Sequence, residues 1–225
     1  MARGRAAGRE APVGLFSTLP ILWNEADDVA GLLKPEDAPH WARSVLAQRG
    51  AISALDTLAG PGGRGPLDRL DRLVIAQPRP LSPDENVALD AWVRAGGRLL
   101  LLADPALTAD SAFAVGDPRR PQAVVLLSPI LSRWGLDLHF DDAQPFGERM
   151  GEVMGMPVPV NLPGRFATRG QDNCKLWGEG LAASCAIGKG RVIAVADAAV
   201  LDRDDPAGRR AKALNGLLDA AFVGR

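Results

Sequence analysis

The stretch LDRLVIAQPRPLSPDENVALDAWVRAGGRLLLLADP, residues 70–105, carries the clearest signal for the fold class. It contains two apolar runs, LVIAQP and RLLLLADP, with a helical pattern between them. Such continuous runs are typical of strands that are buried on both faces, as in a parallel sheet covered by helices. The helical segment begins with the capping-box pattern SPDE (residues 82–85) and ends at Gly96-Gly97. The stretch therefore predicts a strand, a helix and a second, parallel strand.

The same alternation continues on either side of this unit. Three further apolar stretches predict strands: Val13–Trp23, Ala51–Leu58 and Arg191–Leu201. Three further helical patterns accompany them: about Pro39–Arg49, residues 126–135, and a last helix capped by Asp205 with Pro206 at its first position. Strands that alternate with helices indicate right-handed βαβ units, so we expect an α/β three-layer sandwich.

The domain organisation follows from length and composition. At 225 residues the chain is expected to form one large domain. We predict a flexible N-terminal segment (residues 1–11) and a single α/β domain (residues 12–225). The stretch at about 137–172 is rich in Pro, Gly and Met and has no clear period. We therefore expect an irregular insertion there, or edge strands with long loops.

Charge and hydropathy exclude some classes of function. Lys and Arg number 26 against 27 Asp and Glu, a net charge of −1, which argues against nucleic acid as a partner. No apolar run reaches the roughly 20 residues of a membrane helix, so direct membrane insertion is not expected. The chain is predicted to be cytoplasmic, with any membrane association made through a partner.

Polar residues at the predicted strand ends form the main candidate ligand-binding site. In open parallel sheets, ligands bind outside the carboxyl ends of the strands. The candidates are Ser17, Thr18, Asp56, Gln77, Arg79, Asp104 and Asp197. One interpretation is a shared polar crevice in which Arg79 holds a carboxylate or phosphate with paired hydrogen bonds. The alternative is that these residues only start turns or cap neighbouring amides.

A second candidate is the loop GDPRRP, residues 116–121. It could act as a lid that brings Arg119 or Arg120 to an anion, because loops on rigid scaffolds often carry binding residues. The favoured alternative is a solvated loop in which Asp117 pairs with an arginine.

Catalytic and metal motifs are missing from the sequence. There is no G-x-S-x-G elbow and no equivalent with Cys. His40 and His139 do not lie in a metal-binding spacing and have no matching nucleophile. We therefore predict no catalytic residue, no metal and no cofactor.

Cys174 and Cys185 lie in the segment CKLWGEGLAASC, which predicts a hairpin. A two-residue turn at Glu179-Gly180 would place the two cysteines directly opposite each other, close enough for a disulfide. Two reduced thiols are nevertheless the favoured prediction, because disulfides are rare in the cytoplasm.

Three blocks of the sequence resemble a known family. They are residues 70–105, CAIGKGRVIAVADAAVLD (residues 185–202) and VGLFSTLPILW (residues 13–23). They resemble the class I glutamine-amidotransferase-like superfamily, and within it an uncharacterised branch associated with ABC-type transport and gliding motility. The resemblance implies a mostly parallel, flavodoxin-like sheet with helices on both faces. It also implies that the amidotransferase nucleophile is lost, since Ala103-Asp104 stands at the position where we expect a nucleophilic Cys.

The resemblance sets the functional hypothesis. It implies a non-enzymatic accessory domain of an ABC-type transport system that binds a small anionic or polar ligand or a transporter membrane or ATPase subunit. One alternative is a hydrolase or transferase that uses the carboxylates of Asp104 and Asp197, with or without a divalent metal. A second alternative is a structural module whose exposed loops dock on a membrane complex.

Overall fold

The structure is a computed structural model that describes residues 11–23, 25, 39–60, 65–170, 172–205 and 207–223. The predicted flexible segment lies outside the described residues except for Ala11, and so does Pro206. In chain order the strands are β1 (Val13–Ser17), β2 (Ile52–Ala54), β3 (Arg72–Ala76), β4 (Arg98–Leu102), β5 (Leu136–His139), β6 (Arg149–Val153), β7 (Met156–Val160), β8 (Arg165–Thr168), β9 (Cys174–Trp177), β10 (Ala182–Ile187) and β11 (Gly190–Val195). The α-helices are α1 (Trp41–Ala47), α2 (Pro83–Ala95), α3 (Ser128–Arg133) and α4 (Arg209–Phe222).

The central sheet has seven strands in the order β2-β1-β3-β4-β11-β10-β9. The first five are parallel, and β10 and β9 add an antiparallel edge. The parallel part therefore has the strand order of a flavodoxin-like sheet. The predicted fold class, a mostly parallel α/β sandwich, is confirmed.

Apolar layers cover both faces of the sheet. Residues of β3 and β4 alternate between two buried clusters: Val74 and Leu100 face one layer, and Ile75 and Leu101 face the other. The first layer holds the apolar stripe of α4 and part of α1, and the second holds residues of α2 and α3. Both faces are buried, and this explains why the strands lack polar alternation.

Helix α2 forms as its sequence predicts. The Ser82 hydroxyl accepts a hydrogen bond from the Glu85 amide at 3.2 Å, and the Glu85 carboxylate accepts one from the Ser82 amide at 2.9 Å. Gly96 ends the helix with a φ of 128°, a backbone conformation that favours glycine. The capping box and the glycine stop are confirmed.

The ends of some other elements differ from prediction. Strand β1 stops at Ser17, and β2 is limited to Ile52–Ala54. The residue that caps α4 is Gly208, not Asp205. The Asp205 carboxylate still accepts hydrogen bonds from the amides of Arg210 and Ala211, at 3.0 and 2.9 Å. Helix α4 therefore begins later than predicted, at Arg209, and Asp205 accepts amides of its first turn from outside the helix.

The stretch around residues 137–172 contains two antiparallel strand pairs, β5 with β8 and β6 with β7. The Gly164 amide donates to the carbonyl of Ala196 at 2.7 Å, just past the end of β11. This contact fixes the strand pairs, here called the insertion, against the carboxyl edge of the central sheet.

The prediction of two reduced cysteines is wrong in this structure, where Cys174 and Cys185 form a disulfide. Their residues are direct partners in the antiparallel register of β9 and β10, with Cα atoms 4.0 Å apart. The register is the predicted one, although four residues (178–181) connect the strands instead of two. The predicted hairpin register already allowed the disulfide. Reduced thiols were favoured only because a reducing compartment was assumed.

Candidate functional site

Five of the predicted ligand-binding residues follow parallel strands of the sheet at its carboxyl edge. Ser17 and Thr18 lie at the end of β1, Gln77 follows β3, Asp104 follows β4 and Asp197 follows β11. Residues Leu102 and Val195 are paired, and Asp104 and Asp197 each lie two residues beyond them. Parallel pairing therefore brings the two carboxyl groups to the same edge of the molecule.

Gln77 connects three segments at this edge. Its side chain is fully buried, and its Nε2 donates to the carbonyls of Asp104 and Gln122 at 3.0 and 2.7 Å. Its Oε1 accepts from the amide of Asp104 at 2.9 Å. Thr18 completes the connection, because its hydroxyl donates to the carbonyl of Gln77 and accepts from the amide of Gln122. The side chain of Gln77 is committed to the protein's own backbone.

Gln77 also has a left-handed backbone, with a φ of 42°. This conformation is uncommon for residues other than glycine, and such strain is often found at functional sites. A nucleophile elbow is a sharp turn of this kind after a strand. The turn at Gln77 resembles such an elbow in its backbone conformation, but the Gln77 amide is not a nucleophile. No sequence pattern indicated the left-handed turn, because Gln-Pro reads as an ordinary loop start.

The carboxylates of Asp104 and Asp197 both accept backbone amides. Asp104 accepts from Ala106 at 2.8 Å and from Ala198 at 3.1 Å. Asp197 accepts from Ala199 at 2.6 Å and from Asn161 at 2.9 Å. The bond to Ala198 joins β4 to the segment after β11, and the bond to Asn161 joins that segment to the insertion.

Burial strongly affects the ionisation of this pair. It raises the pKa of Asp104 to about 6, with a smaller contribution from the charge of Asp202. Burial also raises the pKa of Asp197 well above its usual value, and the neighbouring charge of Asp104 adds to the effect. Asp202, which sequence reasoning missed, has its pKa raised to about 6, first by burial. Two buried carboxyls side by side oppose each other's ionisation.

Arg79 does not serve as the predicted anion grip, because its guanidinium is already occupied. It donates to both carboxylate oxygens of Glu85 at 2.8 Å and to the carbonyl of Asp56 at 2.7 Å. The Arg79 guanidinium lowers the pKa of Glu85 to about 2. Arg79 thereby joins the segment after β2 to the start of α2. The Asp56 side chain is exposed.

The loop with Asp117, Arg119 and Arg120 lies at the surface. Asp117 and Arg119 form an ion pair at 2.7 Å, and the Arg119 guanidinium lies 4.2 Å from the centre of the Phe113 ring. Arg120 donates to the carbonyl of Phe113. These contacts fold the loop onto itself. Ser17, the remaining candidate at the strand ends, accepts a hydrogen bond from the amide of Leu19 at 3.0 Å.

The two histidines have different surroundings. His40 is buried, its Nδ1 accepts the amide of Ala42 at the start of α1, and burial lowers its pKa. His139 is exposed at the end of β5. Within the described ranges, no group of three or more His, Cys, Asp or Glu residues is arranged to hold a metal ion. In the same part of the chain, no helix is long and apolar enough to cross a membrane.

A separate cavity of about 340 Å³ lies beside the carboxyl edge, between the insertion and the connection from β9 to β10. Its lining includes His139, Gln144, Arg149, Arg165 and Leu181. Apart from His139, sequence reasoning did not consider these residues, because the insertion has no period that would reveal its strand pairs. A larger groove of about 810 Å³ runs along the outer face of α2.

One family model is similar to part of the chain. Residues 51–144 match the family model described as an ABC-type uncharacterized transport system. The match spans β2 to β5 and includes Gln77, Arg79 and Asp104. No curated protein matches the sequence.

Solved structures share the fold at low sequence identity. The exo-β-1,4-mannosidase Op5Man5 from Opitutaceae bacterium strain TAV5 has a TM-score of 0.53 at 16% identity, over 94% of this chain and 36% of that chain. The β-galactosidase from Rahnella sp. R3 has a TM-score of 0.50 at 14% identity, over 96% and 31%. The cytoplasmic protein STM1381 from Salmonella typhimurium LT2 has a TM-score of 0.50 at 13% identity, over 92% and 98%.

This chain spans about a third of the length of the two glycosidases that it matches. The structural likeness concerns the fold alone, because the identities are low. The family match covers residues 51–144, which is less than half of the chain.

Proposed function

We propose that this chain is a non-enzymatic accessory domain of an ABC-type transport system, which binds a transporter subunit or a small ligand. One observation carries the proposal. At the edge where α/β proteins bind their ligands, the side chains of Gln77, Asp104 and Asp197 all bind the backbone of the same molecule. A catalytic group must be able to reach a substrate, and these groups are buried and occupied.

The family match supports the transport context. It covers residues 51–144, which contain the left-handed turn at Gln77 and the loop from Asp104 to Leu127. Loops on a rigid scaffold commonly carry recognition. Val115, Val124 and Leu126 in this loop are exposed apolar residues that a partner could cover.

Co-purification of an ABC transporter subunit with this protein tests the proposal. The tagged full protein is purified from the cell that encodes it, and co-purifying proteins are identified by mass spectrometry. We expect a membrane or ATPase subunit of an ABC transporter. A Val115→Asp, Leu126→Asp variant should lose it, and Val87→Asp, an exposed substitution on α2, should retain it. Absence of any ABC subunit from the wild-type sample would contradict the proposal.

The carboxylate enzyme remains a second candidate because of one observation. The pKa of Asp104 is raised to about 6, and perturbed carboxyl pairs occur at acid–base sites. This candidate requires a metal or substrate that reaches Asp104. A thermal-shift assay with Mg²⁺, Mn²⁺ and Zn²⁺ tests it, since a ligand of the native state raises the melting temperature. A metal-dependent shift that Asp104→Asn abolishes would favour the enzyme over the accessory domain.

The cellular location belongs to the same proposal. We propose the cytoplasm, with membrane association through the transporter subunit. A structural disulfide is typical of oxidising compartments. The redox state of Cys174 and Cys185 in protein from the native cell therefore tests the location directly.

A further inference from the structure

The cavity beside the carboxyl edge is lined by charged side chains that face open space, whereas Gln77, Asp104 and Asp197 are buried. It has a volume of about 340 Å³ and lies between β5–β8, β6–β7 and the connection from β9 to β10. Small-molecule sites usually measure about 300–1,000 Å³. The volume therefore suits a small metabolite.

Arg149 is held in place at this cavity by a fixed neighbour. The Nε2 of Gln144 donates to the carbonyls of Asp141 and Pro163 at 2.9 and 3.0 Å. This orients the Gln144 amide, whose Oε1 accepts a hydrogen bond from Nη2 of Arg149 at 2.9 Å. A guanidinium positioned by an anchored side chain loses little further freedom when it binds a ligand.

The charge of Arg149 is not neutralised by the protein. Among the described residues, no carboxylate forms an ion pair with Arg149. The acids that line the cavity include Asp141, which accepts the amide of Ala143, and Glu179, which pairs with Arg165 at 3.2 Å. Glu152 also lines the cavity. Among the described residues, the Arg149 side chain hydrogen-bonds the neutral amide of Gln144 and no carboxylate, so its charge can be used for a ligand.

Two more side chains that can donate hydrogen bonds, His139 and Arg165, also line the cavity. His139 and Arg165 are direct partners in the register of β5 and β8, so their side chains share one face. The side chains of Arg165 and Glu179 are 66% and 82% exposed, and ion pairs that are this exposed are weak. An incoming anion can therefore compete with Glu179 for Arg165.

We propose that this cavity binds a small molecule through a carboxylate or phosphate group, with Arg149 as the main contact. The proposal rests on the accessory role proposed above and names the ligand class for it. Guanidinium groups bind both oxyanions with paired hydrogen bonds, so the two chemistries share one site. Arg165 and the imidazole of His139 supply further hydrogen-bond donors.

Calorimetric titration with succinate and with inorganic phosphate tests the proposal. The salt concentration is held at about 0.15 M, because exposed charges are screened by salt. We expect wild-type protein to bind at least one probe and Arg149→Gln to bind it at least about tenfold more weakly. Arg43→Gln, which removes the same charge from α1, should bind like wild type. Succinate binding alone would assign a carboxylate ligand, and phosphate binding alone would assign a phosphorylated one.

Further variants separate positioning from charge. Gln144→Ala keeps the Arg149 guanidinium but removes the hydrogen bond that positions it. Arg149→Lys keeps the positive charge but removes the planar guanidinium that makes paired hydrogen bonds. Both should weaken binding, with the fold checked by circular dichroism. No binding of either probe, or equal binding by wild type and Arg149→Gln, would overturn the proposal. Neither result affects capture of a transporter subunit, so a failure here is distinct from a failure of the accessory role.

Discussion

Gln77 combines a strained backbone with a side chain that leaves no polar atom free. Residues in left-handed conformations persist when their surroundings determine them. Here the surroundings are the main chain at Asp104 and Gln122, which the side chain of Gln77 binds. The residue therefore holds the loop over the carboxyl edge in one position.

Substitution of Gln77 tests this role. Gln77→Ala leaves the amide of Asp104 and the carbonyl of Gln122 without these partners, whereas the Asp104 carbonyl keeps the Val125 amide. We therefore expect the free energy of unfolding to fall by about 2 kcal/mol. Gln48→Ala, on an exposed residue after α1, should change it by less than about 0.5 kcal/mol. Urea denaturation measures both. A nearly neutral Gln77→Ala would mean that the connection does not hold the loop.

Asp104 should make stability depend on pH. Burial raises its folded-state pKa to about 6 from an ordinary 3.8. A carboxyl with a raised folded pKa stabilises the fold below its ordinary pKa, and this contribution is lost as the pH rises through the folded value. The free energy of unfolding should therefore fall less between about pH 4 and pH 6 in Asp104→Asn than in wild type.

Urea denaturation across this pH range provides the measurement. Asp56→Asn, on an exposed residue near the same edge, is the matched control and should keep the wild-type pH dependence. The same dependence in Asp104→Asn as in wild type would show that the Asp104 carboxyl ionises normally. Glu85 acts in a different range, because its lowered pKa affects stability only at lower pH.

At the scale of elements, the sequence predicts best where the signals are local. The capping box and glycine stop of α2 lie within one segment, and both form as predicted. The convergence of Gln77, Asp104 and Asp197 at one edge also follows from the parallel strands. The hydrogen-bond partners of these residues could not be predicted from the strands, because contacts such as Thr18 with Gln122 join segments far apart in sequence. The insertion escapes prediction because its strand pairs follow no regular alternation.

Arg79 belongs to the start of α2 through its bonds to Glu85. Glu85 was identified as a capping residue through one bond to Ser82, and a carboxylate has capacity for more partners. Arg79, six residues earlier, fills that capacity. A charged residue close to a capping box can therefore be part of the helix start, so its charge is not available for a ligand.

Ser82→Ala tests the capping contribution of α2. The hydroxyl of Ser82 accepts the amide of Glu85, so its loss should lower the free energy of unfolding by about 1 kcal/mol. Ser44→Ala, on an exposed residue inside α1, is the control and should have a smaller effect. Thermal and urea unfolding measure the difference. No loss in Ser82→Ala would show that the Glu85 and Arg79 contacts alone start the helix.

At the scale of the molecule, the disulfide joins the edge strand β9 to its neighbour. Titration of the native protein with a thiol reagent should find no free thiol, and reduction should release two, since the chain has two cysteines. Two free thiols in protein from the native cell would show that the disulfide does not form there. That result would favour the predicted reducing compartment.

We propose that the carboxylates at the carboxyl edge of the sheet stabilise the fold and are closed to substrates. Hydrogen exchange of the Ala198 and Asn161 amides, measured by NMR, tests it most directly. These amides donate to Asp104 and Asp197. They should exchange as slowly as the amide of Leu101 in β4, and Ala198 should exchange faster in Asp104→Ala, which has no side-chain acceptor. Exchange in wild type as fast as that of the exposed Val115 would contradict the claim.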